Sequence, residues 1–211
     1  MIRWLCIFLL GLSALAWAGP EDILKDYLPQ GRITRFEGPI TIWLGGKGRL
    51  EGQYYVETVV NELQSILPHV SFSLVSSPGR AGIRVHLTDS QQEWEDTIRK
   101  TGVDQAAWQE HGPLVRGLTW VEAGPEGKIA RAEVVLHLDF QTSGGQKLWV
   151  VRHEFMHALG IMGHPQTLDT VLNSRQMQYD KNSLFSDSDI FVLQTMYGKD
   201  LKAGSSWQQS P

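Results

Sequence analysis

Two histidines four residues apart, His153 and His157, flank a glutamate, Glu154, in a stretch that reads His-Glu-x-x-His. On a helix, positions i and i+4 share one face, so both imidazoles can offer a nitrogen to one metal ion. Glu154 sits beside them, placed to act on a water at that ion rather than to bind the ion. A catalytic zinc takes three protein ligands and keeps one position open. The pair supplies two. After a turn at Gly160, His164 is the nearest donor that can fold back as the third, with Asp169 and Asp180 as reserve carboxylates. The chemistry of such a set is hydrolysis, most often of peptide bonds.

These side chains need a helix with a defined start, a buried stripe and a sharp stop. Ser143 is a candidate N-cap. Leu148, Val151, Phe155 and Leu159 make a stripe at helical spacing that leaves His153 and His157 on another face, and Gly160 suits a C-terminal cap. Upstream, Glu21 to Arg35 reads as a polar lead-in, and the alternation from Pro39 to Leu44 predicts a strand. Tyr55, Val59, Leu63 and Leu67 predict an amphipathic helix over Tyr54 to Leu67, stopped by Pro68. Val70 to Val75 and Ile83 to Leu87 read as strands, and Gln91 to Trp108 as partly helical with a break near Thr101-Gly102. Leu114 to Glu122 and Ala132 to Phe140 are two further strands around the turn-rich Gly124 to Gly127; Ser186 to Tyr197 is a last helix. Strand, helix, strand, strand predicts a sheet with a crossover helix on one face, hence a mixed α and β domain.

The remaining composition mainly excludes. Residues 1–18 have a short positive start, an apolar run from Trp4 to Leu15, and Ala16-Trp17-Ala18 as a cleavage site, so they read as a signal peptide. Residues 19–211 are then expected to be one domain with a polar tail over about 199–211. The product is expected to be a monomer, secreted or held in a bacterial periplasm. Cys6 is the only cysteine and falls within the leader, which leaves the exported part without disulfides or a cysteine lock on a metal. A formal charge of -4 without a basic run argues against nucleic acid as a partner, and no later segment is apolar over a membrane-spanning length.

With these residues in hand, the chain resembles the metzincin zinc peptidases, in their compact matrixin-like branch. The family motif His-Glu-x-x-His-x-x-Gly-x-x-His is matched by His153, Glu154, His157 and Gly160; the third histidine comes one residue late, as His164 after Gly163. Glycine's freedom at Gly163 is expected to absorb the extra residue. Thr170-Val171-Leu172-Asn173 is similar to the family's turn beneath the metal, with Leu172 where a methionine is usual, and Met177 in Met177-Gln178-Tyr179 is the rival. Leu184 to Gly198 is similar to the family's closing helix.

The resemblance implies an α+β fold: a twisted, mostly parallel sheet with one antiparallel edge strand, a crossover helix, an active-site helix and a C-terminal helix. It implies Zn2+ on His153, His157 and His164, with Glu154 as general base, and a protein or peptide substrate lying along the Leu114 to Glu122 strand. Trp120 and Tyr179 are then candidate substrate contacts. His137-Leu138-Asp139 is similar to a structural ion site of matrixins but lacks its other ligands. The late histidine and the missing methionine motivate an alternative, a non-catalytic peptide-binding domain with a degenerate metal site. A zinc hydrolase acting on a non-peptide amide is a third.

Overall fold

The computed structural model describes residues 19–101, 116–139, 142–166, 169–173 and 184–207. The fold is α+β. Five strands, β1 (Ile40–Gly45), β2 (Phe72–Leu74), β3 (Ile83–Thr88), β4 (Gly117–Ala123) and β5 (Ile129–His137), form one sheet in the order β2-β1-β3-β5-β4. The pairs β1/β2, β1/β3 and β3/β5 are parallel, and β4 joins β5 antiparallel at the edge, with Leu118 opposite Val135 and Trp120 opposite Glu133. The helices are α1 (Pro20–Tyr27), α2 (Arg49–Ile66), α3 (Gln91–Thr101), α4 (Gly144–Ala158) and α5 (Asp187–Met196). Among the described residues, no helix is long and apolar enough to cross a membrane.

Alternation decides the two faces. Ile40, Ile42, Leu44, Ile83, Val85, Leu87, Ala132, Val134 and Leu136 are buried in the main core with Val56, Val59 and Leu63 of α2 and Val151 and Phe155 of α4. The intervening residues face the other way. There Trp94 and Ile98 of α3 cover Val135, and Leu118 and Trp120 pack against them. Helix α2 links β1 to β2, the crossover that parallel neighbours require.

The polar lead-in expected from Glu21 to Arg35 instead contains α1. Its acidic first turn (Glu21, Asp22) and Pro20 at the start are helix-start chemistry, and Leu24 and Tyr27 provide a narrow buried stripe. Ile23 packs half-buried against the same core, but the stripe spans little more than one turn, so the periodicity was faint. Boundaries moved as well: α2 begins at Arg49, β2 keeps only Phe72–Leu74, and β5 runs from Ile129 to His137. The stretch expected to be helical beyond Thr101, and the first residues of the strand expected from Leu114, lie outside the described residues.

Candidate metal centre

Helix α4 starts where its sequence says it should. The Ser143 hydroxyl accepts from Gln146 N (3.3 Å), and Gln146 Oε1 accepts from Ser143 N (3.1 Å), closing a reciprocal cap. Two buried cations tie the helix to α2. Arg152 binds Glu62 through Nε (2.8 Å) and Nη2 (2.7 Å), and Lys147 pairs with Glu51. The helix stops after Ala158. Gly160 has φ 98°, and a Cβ there would fall 1.8 Å from the Thr34 carbonyl oxygen, so only glycine can make this turn.

The chain then doubles back. Ile161 N donates to Met156 O (3.1 Å), and Gly163 N donates to Tyr27 O at the end of α1 (3.0 Å). Gly163 was expected to take backbone angles closed to other residues, but it is not among the positive-φ glycines. Its need for glycine is proximity: a Cβ would lie 2.1 Å from Asp26 O and 2.7 Å from Tyr27 O. The extra residue is accommodated by seating the loop directly on α1, and His164 follows.

The three histidines converge. His157 Nε2 is 3.1 Å from His153 Nε2 and 3.1 Å from His164 Nε2. His157 is buried, His153 is half-buried against the Trp149 ring, and His164 is exposed. The other ring nitrogens fix the tautomers. His153 Nδ1 lies 2.8 Å from Val171 O and His157 Nδ1 2.6 Å from Ile161 O; a carbonyl oxygen only accepts, so each Nδ1 carries the hydrogen. Both Nε2 atoms are then bare lone pairs facing one another, an arrangement that is repulsive until a cation stands among them. Burial, and the neighbouring histidines, hold His153 well below the usual imidazole range and His157 down to about 4. Neutral imidazoles are the form that binds metal. A tetrahedral zinc with bonds of about 2.0–2.1 Å sets donor–donor edges of about 3.3 Å, close to the observed separations. The residues fit the ion.

Among the described residues, His153, His157 and His164 form the group of possible ligands that comes together. Asp169 lies outside that group, and Asp180, Met177 and Tyr179 lie outside the described residues. His137 Nε2 is 3.4 Å from Asp139 Oδ2, but Arg116 Nη1 sits 3.1 Å from the same oxygen, so a guanidinium already neutralises that carboxylate. His86 faces Glu133, and His69 Nε2 donates to Tyr197 O (2.6 Å).

The Glu154 side chain reaches to β4. Its carboxyl is buried, with Oε2 accepting from Thr119 Oγ1 at 2.7 Å. Gly117, two residues before Thr119, lies so close that a Cβ there would be 2.4 Å from Glu154 Cγ. Burial pushes the Glu154 carboxyl up to about 7, against the pull of the Thr119 hydroxyl. Trp120 alternates with Thr119 and lies on the opposite face of the sheet, packed against the Trp94 cluster with Arg131 over its ring.

Beneath His153 runs the turn Thr170 to Asn173, closed by Asn173 N donating to Thr170 O (3.1 Å). Leu172 is fully buried in the main core, and the preceding Val171 supplies the carbonyl for His153. Asp189 of α5 anchors the turn: its buried carboxylate receives Val171 N (3.1 Å), Thr170 Oγ1, Tyr27 Oη (2.8 Å), and Ser186 N and Oγ (2.9 Å each).

A model of the family described as protein of unknown function, DUF2927, matches residues 22–210, nearly the whole described chain and all three histidines. The chain belongs to the DUF2927 family. No curated protein matches it. Among solved structures, that of myroilysin covers 80% of this DUF2927 chain and 97% of its own, at 16% identity and a TM-score of 0.47. That overlap is too loose to carry a function.

Sequence reasoning about this DUF2927 member missed Thr119, Gly117 and Tyr27. Period-2 alternation groups Gly117 with Thr119 but does not say that their face meets Glu154. For Tyr27, no signal exists short of the fold, because its partner Asp189 is 162 residues away.

Proposed function

We propose that this protein is an exported zinc-dependent peptidase of metzincin type. The observation that carries this reading is the pair of bare Nε2 atoms on His153 and His157, facing each other 3.1 Å apart with both hydrogens committed to carbonyl oxygens. His153, His157 and His164 hold the ion, which supplies a Lewis acid for the scissile carbonyl and an activated water.

The protein's own residues supply the rest. Val171 O and Ile161 O keep the Nε2 atoms of the His153 and His157 rings turned toward each other, where an ion would be held. Glu154 takes a proton from the attacking water and returns it to the leaving amine, work suited to a carboxyl pushed up to about 7. Thr119 fixes one oxygen of that carboxyl by its hydrogen bond, so the group is oriented before substrate arrives. Among the described residues β4 is an edge strand, which suits an extended peptide whose backbone would add as a further strand. Export rests on the leader-like sequence of residues 1–18.

Replacing Glu154 with alanine is expected to lower peptide turnover by about 10²–10⁴-fold while zinc content stays at the unmutated level. Turnover on a mixed peptide library, followed by mass spectrometry with metal analysis of the same samples, checks both. Undiminished cleavage by the variant would remove Glu154 from the mechanism. Zinc binding without any Glu154-dependent hydrolysis would leave the non-catalytic peptide-binding domain.

A further inference from the structure

The zinc site proposed above depends on two segments that α4 does not contain: the loop carrying His164 and the turn carrying the Val171 carbonyl. One residue touches both supports. The Tyr27 carbonyl accepts from Gly163 N (3.0 Å), immediately before His164. The Tyr27 hydroxyl donates to Asp189 Oδ1 (2.8 Å), and Asp189 Oδ2 receives Val171 N (3.1 Å), whose own carbonyl orients His153. Tyr27 is fully buried at the end of α1, and the neighbouring Leu28 carbonyl is pinned by Trp207 Nε1 (3.3 Å).

We propose that Tyr27 is a positioning residue of the metal centre, clamping the arm of the third ligand with its carbonyl and the turn behind the first ligand with its hydroxyl. The inference rests on the zinc reading of the three histidines. It makes α1 part of the site, although no α1 side chain is a ligand. Burial and the Asp189 charge raise the Tyr27 phenol well above its ordinary range, so it remains a donor throughout the working pH. Partners that orient ligands from behind commonly set metal affinity by about 10–100-fold, and the hydroxyl is one of several donors on Asp189, which places the expected effect at the lower end.

The test uses the full exported chain with Zn2+ and Co2+ as probes and needs no substrate. Zinc affinity is measured by competition with a chromophoric chelator, and ligand geometry by the visible absorption of the cobalt form. Tyr27→Phe keeps the carbonyl and removes the hydroxyl; it is expected to weaken zinc about tenfold and to alter the cobalt spectrum. Val59→Ala, in the α2 core, serves as the control for lost stability and should leave both readouts unchanged. Gly163→Ala tests the carbonyl branch separately and stands in if Tyr27→Phe does not fold. It should weaken zinc as well, because its Cβ would press on Asp26 O. Unmutated affinity and spectrum in Tyr27→Phe, or equal losses in Val59→Ala, would overturn the clamp while leaving the zinc reading intact. An unmutated protein that binds no zinc would overturn both.

Discussion

The two halves of the candidate site are built by different means. His153, Glu154 and His157 are set by helical geometry within one turn, and the helix that carries them is anchored by its own Ser143 cap and by the pairing of its Arg152 and Lys147 with Glu62 and Glu51 of α2. His164 owes its place to long-range contacts: Gly160 against Thr34, and Gly163 against Tyr27. A ligand pair on one helix can be read from spacing. A ligand on a returning loop depends on what the loop lands on, which is why a histidine one residue late still meets the other two.

If the loop half is positioned from outside, disturbing its landing should damage it most. Gly160→Ala forces a left-handed alanine, costing about 1–2 kcal/mol, and adds a collision with Thr34 O. A total of at least about 2 kcal/mol is expected, lowering the Tm by about 4–8 °C in a calorimetric scan, together with weaker zinc binding. An unchanged Tm would mean that the turn is not constrained as described.

Acidification separates the halves by degree of burial. Unfolded His157 takes up a proton near the ordinary imidazole value of about 6.5, whereas the folded ring is held down to about 4. Its folded pKa is depressed, so this contribution to stability is complete above about 6.5 and is lost as pH falls from there toward about 4. Urea unfolding of the zinc-free protein should therefore give lower stability at pH 5 than at pH 7.5, and His157→Gln should reduce the difference. Equal dependence in the variant would assign the effect to other groups.

The smallest effect is expected at Leu172. It is fully buried, and leucine and methionine are near in volume, so Leu172→Met should change stability by less than about 1.5 kcal/mol and leave zinc affinity unchanged. A large gain in affinity would show that this turn contributes more than packing to the site.

The same contrast explains what could be read in advance. The sheet, the crossover helix, the Ser143 cap and the turn at Gly160 follow from alternation, periodicity and cap chemistry, all local properties. Helix α1 was hidden because its apolar face (Ile23, Leu24 and Tyr27) spans little more than one turn. The reason for Gly163 was misread because close approach to another segment leaves no mark in the neighbouring residues. The orientation of Thr119 toward Glu154, and of Trp120 away from it, depends on which face of β4 meets α4, a choice that alternation by itself does not make.

The claim at the centre is that His164, despite its late position, completes a three-histidine zinc site. The direct test is zinc stoichiometry and affinity of the full chain beside His164→Ala. One tightly held zinc in the unmutated protein, bound at least about tenfold more weakly after the substitution, is the predicted result. Equal affinity in both proteins, or no zinc in the correctly folded unmutated chain, would contradict it.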